Sequence, residues 1–173
     1  PAKSLFTGGT ESASKNWAWM TTDVKTSDEE WKKQFATMHR AGIDAIIPEI
    51  YDGSRAYYAS KHLSRGEPWL ERILPLAKAE GLEFHAWMWA MPCNNEEVSK
   101  QHPDWYSVNG KGESAAVKPA YVDYYKFLCP SRPEVHQFIQ DTVTELAQYD
   151  ALDGIHLDYI RYPDVILAEA IQP

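Results

Sequence analysis

Basic residues are in short supply in this chain: 17 Lys and Arg stand against 25 Asp and Glu, a formal net charge of −8. A nucleic-acid backbone needs a basic face on its partner, so that class of ligand is argued against, while a neutral ligand such as a sugar is not. Long apolar runs are missing too. None approaches the roughly 20 residues that span a bilayer, so no transmembrane segment is expected. No secretory leader is visible, but the chain opens at Pro1, as one would with its leader removed. Cysteine is nearly absent. Cys93 and Cys129 form no Cys-x-x-Cys pair, which leaves a thiolate zinc site without support. Two unpaired thiols are the default, and a single disulfide would require an exported protein. No Gly-rich phosphate loop follows the first apolar segment, which argues against a dinucleotide or nucleotide fold. No cofactor is expected.

Aromatics, by contrast, are plentiful, with 7 Trp and 10 Tyr in 173 residues. They serve either as core or as flat platforms on which sugar rings stack. Their placement follows an alternating pattern. Asn16–Thr22 reads as a strand. A helix follows, capped by Ser27 with acids in its first turn, striped by Trp31, Phe35 and Met38 and closed by Gly42. Residues 43–51 form a second strand. A helix over about 68–80 carries Pro75, which should bend it, and stops at Gly81. Residues 82–91 form a third strand. The stretch 96–130 reads as one long loop. A helix over about 133–149 follows, with Ser131 as its cap, then a strand over about 154–159. The tail from Asp164 begins a fourth helix.

This β-α-β-α-β-α-β order implies a parallel sheet with right-handed crossovers. The third and fourth strands place His85, Trp87, Trp89, His156 and Asp158 on one parity. Buried strands of an open sheet read as continuous Val, Ile and Leu. Large polar and aromatic side chains on one face suit the interior and C-terminal rim of a (β/α)8 barrel, the TIM-barrel class. The domain division is then a lead-in over 1–14 and the N-terminal half of a barrel over 15–173. A complete barrel takes roughly 200 to 250 residues and eight strands. A half barrel with open sheet edges should associate with a copy of itself or pair with its C-terminal half.

The segment Asp153-Gly154-Ile155-His156-Leu157-Asp158-Tyr159-Ile160-Arg161-Tyr162-Pro163 is the most informative. Ile155 and Leu157 face one way, His156 and Asp158 the other, and a carboxylate at a strand end followed by Tyr, Arg, Tyr and Pro has the look of a site edge. This segment resembles the hallmark of the glycoside-hydrolase-like family 10 proteins. Asn16-Trp17-Ala18-Trp19, His85-Ala86-Trp87-Met88, His102-Pro103-Asp104-Trp105 and Leu128-Cys129-Pro130-Ser131-Arg132-Pro133 agree with that family in order and spacing. The resemblance covers about residues 16–165. It implies a bacterial, mostly exported TIM-barrel glycosidase, hence a secreted, periplasmic or surface-anchored protein acting on oligo- or polysaccharide. The second strand departs from it, lacking a basic residue near its end.

Glycoside hydrolysis uses two carboxyl groups. Asp158 is the leading catalytic candidate, as nucleophile or acid/base, with helix capping or a pair with Arg161 as its bland alternative. Glu49, the other strand-end acid, is expected to bind substrate, with a role as second catalytic carboxylate less favoured than a partner in the C-terminal half. His85 and His156 are expected at equal depth, hydrogen-bonding hydroxyls or holding Asp158. Trp19, Trp87, Trp89 and Tyr159 should wall the cleft, Tyr51 should bind substrate, and Arg161 and Tyr162 should sit on the rim. Two other readings stand beside the enzyme: a carbohydrate-binding protein without turnover, and a metal-dependent hydrolase or deacetylase using His156 and Asp158, with His85 as a third ligand.

Overall fold

The computed structural model describes residues 14–163. The segment 1–13, nearly all of the expected lead-in, and the tail 164–173 lie outside the described residues. Four parallel strands, β1 (Trp17–Met20), β2 (Ala45–Tyr51), β3 (Glu83–Trp89) and β4 (Gly154–Asp158), pair in the order β1-β2-β3-β4. Helices α1 (Asp28–Arg40), α2 (Trp69–Ala79), α3 (Glu96–Gln101) and α4 (Pro133–Leu146) fill the connections. A doubly wound sheet reverses its strand order at a switch point. This sheet does not reverse, and strictly sequential order is that of a barrel wall.

The local reasons are legible. Ser27 Oγ accepts from Glu30 N at 3.3 Å and caps α1. Trp31 and Phe35 are the buried residues of that helix. In α2 the stripe Leu70, Ile73, Leu74 and Ala77 is buried. These helices pack on Ile46, Ile50, Phe84, Ala86 and Met88 of the sheet, all 1% exposed or less. The hydrophobic core therefore lies on the helical side of the sheet.

Two expected details differ. Ser131 does not cap α4. The N-cap is Arg132, with no side-chain bond, because Pro133 opens the helix immediately after it; the Ser131 hydroxyl pairs instead with Tyr162 Oη at 3.1 Å. The stretch 96–130 is not one open loop. It holds α3, capped by Asn95 Oδ1 on the N–H groups of Glu97 and Val98, and a 3₁₀ turn over Pro103–Trp105. Its return leg is stitched to the end of β3 by Cys93 N to Lys126 O at 2.9 Å and Leu128 N to Met91 O at 2.8 Å.

Candidate active site

Strand alternation puts Trp19, Glu49, His85, Trp87, Trp89, His156 and Asp158 on the sheet face opposite the core. The register orders them in levels. His85 lies beside Gly154, Trp87 beside Glu49 and His156, and Trp89 beside Asp158. Asp158 is thus the side chain nearest the C-terminal end of its strand, where barrel sites are built.

Two indoles organise the carboxyls. Trp87 Nε1 donates to Asp158 Oδ2 at 3.1 Å, and Trp89 Nε1 donates to Glu49 Oε2 at 3.1 Å. Asp158 Oδ1 also accepts from Tyr159 N at 2.7 Å. Tyr159 itself turns left-handed, with φ of 51°. A side chain other than glycine in that conformation costs on the order of 1–3 kcal/mol, a cost met at functional turns. Arg161 lies over the Tyr159 ring at 5.1 Å and the Phe127 ring at 5.8 Å.

Around this pair the aromatic residues form a wall. Trp19 meets Trp87 and His156 edge-on, with ring centroids 4.7 and 4.6 Å apart. Trp89 meets Tyr159 at 5.0 Å and Tyr124 at 6.4 Å. Trp19 remains 52% exposed, so its ring is open to a ligand. An open cleft of about 550 Å³ runs past Glu49 and Trp89, lined also by Asp52, Asn94, Asp123 and Lys126. Burial, then the charge of Asp52 and more weakly that of Asp158, pushes the Glu49 carboxyl up to about 7, against the opposing bond from Trp89.

Of the expected site residues, Trp19, Glu49, Trp87, Trp89, His156, Asp158, Tyr159 and Arg161 come together here. Tyr162 is on the surface beside Ser131, 52% exposed. Two are placed differently. Tyr51 is 2% exposed. A bulge between Glu49 and Tyr51 adds a residue to β2, which breaks the alternation and turns Tyr51 into the core beside Cys93 and Tyr106. His85 is not level with His156 but one pleat lower, between Trp17 at 4.4 Å and Gly154, with Glu83 at 3.3 Å. A Cβ on Gly154 would lie 2.5 Å from His85 Nδ1, so the glycine makes the histidine's berth. His85, His156 and Asp158 therefore do not converge on one point, and among the described residues no three His, Cys, Asp or Glu are grouped to hold a metal ion. Cys93 and Cys129 are both free thiols.

Asp52, Asn94, Asp123 and Lys126 were not singled out from the sequence. Asp52 had a signal, since it follows Glu49 at a strand end. The other three reach the cleft through the return leg of the long connection and through Gly53, whose backbone abuts Pro92: a Cβ there would stand 2.6 Å from Pro92 O, and φ is 78°.

The family model described as glycosyl hydrolase-like 10 matches residues 12–171. Glycosyl hydrolase YngK of Bacillus subtilis is 26% identical over 166 residues, covering 81% of this chain, and the chain spans 29% of that protein. Among solved structures, a hypothetical protein from Ruminiclostridium thermocellum aligns with a TM-score of 0.70 at 17% identity, over 85% of this chain and 78% of that one. Alpha-L-fucosidase isoenzyme 2 from Paenibacillus thiaminolyticus aligns with a TM-score of 0.59 at 19% identity, over 83% of this chain and 23% of that one. These likenesses give the fold, a partial TIM barrel represented among the described residues by four parallel strands and the helices that connect them. The match along nearly the whole sequence gives the family: this chain belongs to glycosyl hydrolase-like family 10.

Proposed function

We propose that the protein hydrolyses O-glycosyl bonds of an oligo- or polysaccharide at the C-terminal end of this sheet, with Asp158 as the essential carboxylate. The observation that carries this reading is the Asp158 carboxyl gripped by the Trp87 indole and the Tyr159 amide, at the mouth of an aromatic wall. Fixed donors hold a carboxylate in the orientation needed to attack an anomeric carbon or to activate water. Trp19, Trp89 and Tyr159 offer ring faces to sugar C–H groups. His156, on the same face, offers a partner to sugar hydroxyls, and Arg161 sits on the rim. Four further βα units, or a second copy of the chain, would complete the barrel around this face.

The test is turnover of a panel of aryl glycosides and polysaccharides by the purified protein, followed as reducing ends released. Asp158→Asn should lose activity by about 10³-fold or more while still binding sugar, in line with removing a reacting group. Equal activity in the variant would remove Asp158 from the reaction. Sugar binding by wild type and variant alike, with turnover by neither, would favour a carbohydrate-binding protein instead.

A further inference from the structure

Glu49 and Asp158 flank β3, one on each neighbouring strand. Two strand spacings of about 4.8 Å separate their backbones laterally, and Asp158 stands one pleat nearer the C-terminal end. The indoles between them are crossed. Trp87, level with Glu49, reaches to Asp158, and Trp89, level with Asp158, reaches to Glu49. A single strand thus fixes two carboxyls on one open face, and both belong to the same aromatic wall. Their surroundings differ. Glu49 is half-buried, with Asp52 close by, in the cleft bounded by Trp89, Tyr124 and Lys126. Two carboxyls on one face in unlike environments are the arrangement that divides acid from nucleophile or base.

We propose that Glu49 is the proton donor of this site, giving its carboxyl proton to the glycosidic oxygen as the bond from that oxygen to the anomeric carbon breaks. The inference rests on the glycoside-hydrolysing reading of this face. The bonding pair stays with the departing oxygen, which leaves as an alcohol. Water then adds to the anomeric carbon: in direct attack its proton passes to Asp158 and Glu49 is reloaded from solvent, whereas after attack by Asp158 the proton passes to Glu49 itself. Nothing beyond water is consumed. Burial and the nearby Asp52 charge hold the carboxyl proton up to about pH 7, which keeps a donor loaded in neutral solution.

Glu49→Gln and Asp158→Asn separate the two claims when assayed on a dinitrophenyl glycoside and on an alkyl glycoside or oligosaccharide. A dinitrophenolate leaves without protonation, whereas an alkoxide does not. Glu49→Gln should lose roughly 10²–10⁴-fold in kcat/KM on the poor leaving group, lose little on the dinitrophenyl substrate, and lack the alkaline fall near pH 7. Asp158→Asn should lose both substrates. Equal losses on both substrates for Glu49→Gln, with the alkaline fall retained, would make Glu49 a binding residue and leave Asp158's role standing. No turnover by wild type on any glycoside would overturn both claims. A readout free of turnover is the ¹³C titration of carboxyl-labelled glutamates. One resonance should titrate near pH 7 in wild type and be absent in Glu49→Gln. Every glutamate titrating near its ordinary value would also overturn the inference.

Discussion

Gly154 shows how much one missing side chain decides. Its absent Cβ gives His85 its place against Trp17 and Glu83. Gly154→Ala should therefore cost about 1–3 kcal/mol, the usual range for overpacking, read as a lower midpoint in chemical unfolding. His85→Ala added to it should recover part of that loss, since contacting residues couple. Glu49 gives a pH-dependent counterpart. Its carboxyl titrates near 4.5 when unperturbed and near 7 in the fold. The folded chain holds the extra proton between those values, so this contribution to stability is complete below about pH 4.5 and is lost as pH rises through 7. Relative to Glu49→Gln, wild type should lose on the order of 1 kcal/mol across that window, allowing for solvent screening of a half-buried group. Thermal unfolding of both proteins at pH 5 and about pH 8 checks the sign. The position of Glu49 and Asp158 at strand ends was legible in the sequence. The shift at Glu49 was not, because its largest cause is burial, with the Asp52 charge next, and burial exists only in the folded chain. Tyr51 was misplaced because parity assumes an unbroken strand; Pro48, which cannot donate to the ladder and inside a central strand points to a bulge, was the local sign of the irregularity that follows it.

At the scale of elements, patterns with a strong local cause carried through. β3 alternates intermediate and buried along its length, as its mixed aromatic and apolar sequence suggests. Ser27 followed by three acids marked the start of α1, and Ser27→Ala should remove about 1 kcal/mol, the usual worth of such a cap, measurable by urea unfolding. The capping bond is long at 3.3 Å, so the lower half of the usual range is expected. α3 carried a comparable signal in Asn95 with Glu96 and Glu97 after it, but its six residues bury nothing fully, so it lacks the apolar stripe that identifies longer helices. Asp153 ties elements together, bonding Lys78 of α2 at 2.7 Å and the amide of Phe84 in β3 at 2.7 Å. That tie spans 75 and 69 positions of sequence, which no local pattern reveals.

At the scale of the whole molecule, the order of strands follows from short right-handed crossovers, and the choice of barrel over open sheet followed from polar and aromatic side chains on the inner strand faces. The same face keeps large aromatic surface open, with Trp17 45% and Trp19 52% exposed. An open aromatic face flanked by strand edges invites a partner. Purified alone, this chain should sediment as a species of two or more copies, and a strict monomer at micromolar concentration would remove self-association as the means of covering the face. The central claim is that sugar binds on that face, over Trp87 and Trp89. The chain's seven tryptophans report on it individually through their indole N–H resonances, with Asp158→Asn used to keep the ligand uncleaved. On addition of a neutral oligosaccharide, the resonances of Trp19, Trp87 and Trp89 should move while those of buried Trp31 and Trp69 stay fixed. Shifts confined to Trp105, in the groove between α3 and α4, or no shift at all with any sugar tested, would contradict it.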